Sequence, residues 1–134
     1  MRRFSAGWQG LIIVALAMSL GGCARMPRGE WRIETGRARV VNDRGERKPR
    51  MEAVALAQRD ARLKLLRDVE AMPASGSNLV GDYVAQDSLI GVRVRSLVLT
   101  ARQFAARYSD DGAVEVDMGV NLEDVRRIVR DTKP

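Results

Sequence analysis

The sequence contains no histidine and a single cysteine, Cys23, among its 134 residues. Without histidine, the chain lacks the commonest general base and the commonest metal ligand of proteins. One thiol also excludes a disulfide within a single copy, so the fold has to form without a covalent cross-link. These absences predict that the protein is not an enzyme, binds no metal or cofactor and takes no small-molecule substrate.

The N-terminal segment has the three-part layout of a secretory signal. Arg2 and Arg3 give it a positive start, residues 11–20 form an apolar run, and Gly21-Gly22 supplies small residues. The run of ten residues is shorter than the ~20 that a helix needs to cross a bilayer. A looser count over residues 4–24 approaches that length, so an uncleaved membrane anchor is the alternative interpretation.

The tetrapeptide Leu20-Gly21-Gly22-Cys23 resembles a bacterial lipobox, the motif that signal peptidase II cuts before a lipid-modified cysteine. The resemblance implies that residues 1–22 are a lipoprotein signal peptide and that acylated Cys23 attaches the mature chain to membrane lipid. Several acyl chains hold a protein almost permanently, whereas one alone binds only marginally. Because Ala24 rather than Asp follows the cysteine, the resemblance also implies the outer membrane. The domain then faces either the periplasm, which we favour, or the cell exterior.

The charge of the chain is moderately basic, with 23 Lys and Arg against 17 Asp and Glu. Loss of Arg2 and Arg3 with the signal peptide leaves 21 basic residues and a net charge of +4. An exported protein is not expected to meet nucleic acid, which is the usual partner of a basic chain. Anionic lipid or an acidic protein is the expected partner instead.

The N-terminal half of the mature chain predicts a short tether, a strand and a long helix. The tether is residues 23–30, and residues 31–41 form the strand, with a bulge at Gly36 where the apolar alternation changes phase. A polar connection follows over residues 42–50. A helix then extends from Met51 to about Met72, because its apolar residues recur every three or four positions. These residues are Met51, Val54, Ala57, Ala61, Leu65, Val69 and Met72, widened by Leu63 and Leu66.

The C-terminal half predicts a hairpin between two helical segments. Residues 74–78 are expected to be a loop, and residues 82–100 fit either a strand or, as we favour, a helix capped by Asp87 or Ser88 and ending near Leu97. Residues 103–109 and 113–120 are predicted to form a β-hairpin, because apolar and polar side chains alternate from Val114 to Val120 and the turn Asp110-Asp111-Gly112 has typical hairpin chemistry. Asn121 is then expected to cap a final helix that ends near Arg130.

These elements predict an α+β fold over residues 31–131 as one domain. Its small antiparallel sheet combines the N-terminal strand with the C-terminal hairpin. The long helix and one or two shorter helices pack on this sheet. Val114, Val116, Met118 and Val120 are expected to face the core, whereas Glu115, Asp117 and Gly119 face water.

Several short motifs in this order resemble the Lpp-twenty lipoprotein family. They are Gly36-Arg-Ala38 in the first strand, the spaced Ala53, Ala57 and Ala61, the pairs Asp60-Ala61 and Leu65-Leu66, and the run from Tyr108 to Val116. The resemblance covers roughly residues 36–122. It implies a small outer-membrane lipoprotein, with relatives in flagellar assembly and no catalytic residues.

One charged surface has a candidate binding role, a basic contact patch of Arg44, Arg47, Lys48 and Arg50, with Arg37 and Arg39 nearby. It would contact anionic headgroups or an acidic partner, each charge adding at most ~1 kcal/mol near an anionic leaflet. The alternative is an ordinary solvated loop. Glu115 and Asp117 on one strand face, and Asp110 and Asp111 in the turn, are better explained by a solvated hairpin than by catalysis or calcium binding.

Two functions remain open from the sequence. The first is a structural or assembly role in the cell envelope, flagellar or other, with self-association or an envelope protein as partner. The second is regulatory binding to a periplasmic partner, such as the machinery of peptidoglycan synthesis. Such regulators need long linkers to reach across the periplasm, so the short tether favours the first.

Overall fold

The computed structural model describes residues 28–39 and 50–131 in full and residues 47–49 as backbone. This part of the chain contains five strands and four helices. Their bounds are β1 (Trp31–Arg39), α1 (Arg47–Glu70), β2 (Pro73–Ser75), β3 (Asn78–Leu79), α2 (Val80–Gln86), α3 (Ser88–Leu99), β4 (Arg102–Tyr108), β5 (Ala113–Asn121) and α4 (Leu122–Asp131).

The main sheet has the order β1-β5-β4 and is antiparallel throughout. Its inner face presents Val114, Val116, Met118 and Val120 of β5, all buried, and α1 packs against β1 and β5. The α+β class, the N-terminal strand, the C-terminal hairpin and the long helix are confirmed. Among the described residues three shorter helices accompany α1, and two of them, α3 and α4, contact β5 of this sheet as expected.

The predicted bulge at Gly36 is wrong. Strand β1 pairs with β5 in one unbroken register, from Trp31 opposite Asn121 to Arg39 opposite Ala113. Gly36 is needed instead because α1 passes directly over it. A Cβ on Gly36 would lie 2.5 Å from the amide nitrogen of Ala61 and closer still to the carbonyl oxygen of Ala57. The shift in apolar phase along β1 therefore marks a close helix contact rather than a break in pairing.

Helix α1 begins four residues earlier than predicted, at Arg47. Proline at its third residue is tolerated, because amide groups in the first helical turn have no carbonyl partner within the helix. The buried face also differs from the predicted one. It repeats strictly every four residues, and Met51 is 78% exposed, Leu63 48% exposed and Val54 only half-buried. The buried residues are Ala53, Ala57, Ala61, Leu65 and Val69.

The segment between α1 and the hairpin is more ordered than we expected. The predicted loop contains the small ladder of β2 and β3, and α2 was not anticipated. Helix α3 is confirmed as a helix, and its N-cap is Asp87, whose Oδ1 accepts a hydrogen bond of 2.7 Å from the backbone of Leu89. Ile90, Val94 and Val98 are buried at intervals of four residues, which a strand would not produce.

The hairpin and the last helix are confirmed. Gly112 has φ +80° in the turn, and Asn121 Oδ1 accepts a hydrogen bond of 2.9 Å from the amide of Glu123 at the start of α4. Gly119 was expected to face water but is buried. The ring of Phe104 covers it, because the sheet has a bulge between Gln103 and Ala105 that brings an extra side chain over β5.

Candidate functional site

Most of the residues that the sequence singled out lie outside the described ranges. These are the lipidation motif Leu20, Gly21, Gly22 and Cys23, and Arg44 of the basic contact patch. Arg47 and Lys48 belong to the first turn of α1, where only the backbone is described. Arg50 follows them on the helix and is exposed.

The start of the fold is held in place at Glu30. Its carbonyl oxygen accepts a hydrogen bond of 2.8 Å from the amide of Leu122, and its carboxylate forms an ion pair with Arg126 at 2.6 Å. The hydrogen bond from Arg126 to Glu30 raises the pKa of the guanidinium. The chain is therefore attached to the beginning of α4 seven residues after Cys23.

The two arginines of β1 near the predicted basic patch are used within the fold. Arg37 forms an ion pair with Glu115 at 2.7 Å. Arg39 forms one with the carboxylate of Asp111 at 2.8 Å, and its Nε donates to the carbonyl oxygen of the same residue. These pairs neutralise the two arginines that lie nearest the predicted patch in β1.

The two carboxylates on the outer face of β5 are also paired. Arg107 donates to both oxygens of Asp117, at 2.6 and 2.8 Å, and lies 3.3 Å from Glu115. Thr35 Oγ1 donates a further hydrogen bond of 2.7 Å to Asp117. The bonds from Arg107, and then from Thr35, lower the pKa of Asp117 despite its partial burial. Asp117 thus stabilises the sheet as an ion, and Glu115 shares the same arginine.

The other half of this outer face is aromatic. The rings of Trp31 and Phe104 meet edge to face with their centroids 5.2 Å apart, and the guanidinium of Arg102 lies 5.6 Å from the centre of the Phe104 ring. Gly119 lies beneath Phe104, where a Cβ would come within 2.7 Å of the ring. This small apolar cluster closes the face locally without a covering helix.

The edge of β1 is protected by two side chains of α1. Lys64 Nζ donates to the carbonyl oxygen of Thr35 at 2.9 Å, and Asp60 accepts from the amide of Arg37 at 3.0 Å. Asp60 and Lys64 also pair with each other at 2.8 Å. Bonds from Lys64, then from the Arg37 amide, lower the pKa of Asp60. The carbonyl oxygen of Thr35 and the amide of Arg37 are thus not free to pair with a foreign strand.

The opposite edge of the sheet is different. Strand β4 pairs with β5 on one side only, and no described side chain bonds to its backbone. The nearest approach is a hydrogen bond of 2.8 Å between the side chains of Gln58 and Gln103. Within the described ranges, β4 is therefore an open edge.

Two further properties of the described residues bear on membrane and metal binding. None of the helices in the described part of the chain is both long and apolar enough to cross a membrane. The same residues contain no group of three or more acidic or cysteine side chains arranged to hold a metal ion.

No family model and no curated protein matches this chain. The resemblance to the Lpp-twenty family therefore stays a prediction from the sequence.

Proposed function

We propose that this protein is an outer-membrane lipoprotein, anchored through acylated Cys23 and facing the periplasm, with a structural or assembly role in the cell envelope. The observation that carries the proposal is the lipobox-like Leu20-Gly21-Gly22-Cys23 directly before a chain that is already bound to the fold at Glu30. An anchor and a folded domain are thus separated by a very short tether.

The length of this tether limits where partners are found. Seven residues span at most ~25 Å when fully extended. Because Glu30 is bonded to Leu122 and Arg126, none of that length is gained by unravelling the start of β1. The domain then reaches other proteins of the same membrane far more readily than targets across the periplasm. This favours assembly at the membrane over the regulatory alternative.

The open edge of β4 supports association with a second copy or with an envelope protein. An edge strand offers unpaired amide and carbonyl groups that another strand can bind. Since side chains of α1 occupy two backbone groups of the β1 edge, pairing through the sheet would favour β4. Such pairing is testable as a concentration-dependent shift in the sedimentation of the detergent-solubilised protein.

The anchor is tested by replacing the thiol. We expect Cys23→Ser to abolish labelling by a palmitate analogue and to leave the signal peptide uncut, which intact mass spectrometry detects. Ala24→Asp is the matched control, since it should keep the acyl groups but alter sorting to the outer membrane. An unmodified Cys23 on an uncut wild-type chain would refute the proposal.

The flagellar version of the role is tested separately by deleting the gene and measuring swimming and detergent sensitivity. Loss of swimming that is restored by the wild-type gene, but not by Cys23→Ser, would support it. Normal swimming with increased detergent sensitivity would leave a more general envelope role. No change in either property would contradict an assembly role.

A further inference from the structure

A groove of about 500 Å³ lies between α1 and α3, outside every contact described above. Its apolar lining combines residues of both helices. Val98 is buried, Leu66 is half-buried, and Leu63 and Leu99 are 48% and 65% exposed. The groove is therefore a furrow with a closed floor and two open apolar walls.

The walls continue along both helices beyond the groove itself. Leu56 lies seven residues before Leu63 on α1, and Val92 lies seven residues before Leu99 on α3. Seven residues are almost two full helical turns, so each pair shares a face. Leu56 and Val92 are 44% and 56% exposed. Single exposed leucines are ordinary, but an apolar groove with further exposed apolar residues on the same helix faces is the kind of patch that marks a binding surface.

The charged residues of the groove are all basic. Arg59 and Arg62 of α1 and Arg95 of α3 line it, and no acidic residue does. None of these three arginines forms an ion pair with another described residue, unlike Arg37 and Arg107 on the sheet. Arg62 Nε is buried without a hydrogen-bond acceptor in this part of the molecule. The groove thus combines apolar walls with positive charge that the fold itself does not use.

We propose that this groove binds an amphipathic α-helix of a partner protein, whose apolar residues enter the furrow and whose Asp or Glu side chains pair with Arg59, Arg62 and Arg95. A third helix suits a furrow between two helices, which is a common mode of peptide recognition. Helix α3 has 12 residues, or about 18 Å at 1.5 Å per residue. The bound segment is therefore about three turns long.

The shape of the surface favours a helix over a lipid bilayer. Leu63 and Leu99 line a depression together with the buried Val98, whereas a bilayer would contact side chains that project from a convex surface. The inference concerns the folded domain and goes beyond the proposed function. It holds whether or not Cys23 is acylated, so the two proposals fail independently.

The first experiment identifies what occupies the groove. A photo-crosslinking amino acid is placed at Leu99 in the full chain, the protein is irradiated in its native cells, and the adduct is sequenced by mass spectrometry. We expect a single protein segment with apolar residues three and four apart and acidic flanks. Leu79, 40% exposed on β3 and outside the groove, is the matched control and should not give this adduct.

Four results would overturn the inference. They are adducts with phospholipid only, with another copy or another part of this chain, with the same segment from Leu79 as from Leu99, or no adduct at all.

The second experiment tests the charges with a synthetic peptide of the captured segment. We expect Arg95→Glu or Arg59→Glu to weaken its binding at least tenfold, and exchange of the facing acid for lysine in the peptide to recover most of that loss. Arg93→Glu is the control, because Arg93 is exposed on the same helix as Arg95 but does not line the groove. Equal losses at Arg93 and Arg95, with both variants folded by circular dichroism, would refute the role of the groove arginines.

Discussion

Helix α1 has two functional sides, and they are built from different residues. On the side of β1, Ala57 and Ala61 lie directly over Gly36, and Asp60 and Lys64 bind the strand's backbone. On the side of the groove are leucines and arginines that the described fold leaves partly exposed and without ion pairs. Small residues therefore mark where the chain packs on itself, and large apolar residues beside unpaired arginines mark where we propose that another molecule binds.

The largest loss of stability should come from adding a side chain where α1 packs over Gly36 of β1. In Gly36→Ala, the new Cβ meets backbone atoms of Ala57 and Ala61, which cannot move unless the whole helix shifts. Overpacking of a core typically costs about 1–3 kcal/mol. Because the obstacle here is backbone, we expect the upper end of that range or failure to fold, measured by urea unfolding.

The matched control for that variant is Gly91→Ala in α3. Its Cβ would lie 3.4 Å from a methyl group of Val84, close to ordinary contact. Alanine is favoured over glycine within a helix by up to about 1 kcal/mol, so stability should be unchanged or higher. A Gly36→Ala protein as stable as the wild type would show that α1 and β1 pack less tightly at Gly36 than their geometry indicates.

Removal of the charge on Asp117, on the outer face of β5, should lower the free energy of unfolding by a smaller amount. Its folded-state pKa is lowered, so its contribution is present above the pKa of about 4 in the unfolded chain and disappears as pH falls through the lower folded value. We expect Asp117→Asn to cost about 1 kcal/mol at pH 7, since Arg107 is half exposed and screened by solvent. Between pH 7 and pH 3, the free energy of unfolding should fall less in the variant than in the wild type.

The opposite pH dependence of stability is expected for Glu34, which lies beside α1. Burial, and then the neighbouring Asp68, raise its pKa, so its protonated form is favoured in the fold and the stability that this gives is lost as pH rises through the folded pKa. Glu34→Gln should therefore match or exceed the wild type at pH 7, by no more than about 0.5 kcal/mol. The gain should vanish when the unfolding of both proteins is measured below pH 4. A destabilised variant at pH 7 would contradict this.

The smallest effect on stability should come from the groove side of α1. Leu63→Ser and Leu99→Ser remove exposed side chains that the fold does not need, so each should change the free energy of unfolding by less than about 0.5 kcal/mol. Leu65→Ala, at a fully buried position of the same helix, should cost about 2–5 kcal/mol. If the groove variants lost as much as Leu65→Ala, the groove would be part of the core.

The elements that were predicted well depend on local signals. Alternation in β5, the Asp-Gly turn and the cap at Asn121 each act over a few residues, and all three occur as expected. The face of α1 was predicted less well, because apolar residues three or four apart allow more than one stripe. Only the position of β1 decides that Ala53 is buried and Met51 is not.

The candidate surfaces could not be predicted from the sequence, for the same reason. Asp60 and Lys64 are recognisable as a helical pair four residues apart, but nothing local indicates that they bind Thr35 and Arg37. Likewise, Arg39 and Asp111 are 72 residues apart in the chain, so the neutralisation of this part of the basic surface depends on how β1 and the hairpin come together.

The amino-acid sequence by itself determined the α+β class, the hairpin, the capped helices and the lipobox-like motif, because periodicity, turn chemistry and short motifs act between near neighbours. Among the described residues, tertiary structure alone decided that Gly36 lies beneath a helix, that side chains of α1 bind the backbone of one sheet edge and not of the other, and that three arginines line a groove without acidic partners. Those properties depend on which distant segments approach within a few ångströms, and no local pattern encodes that distance.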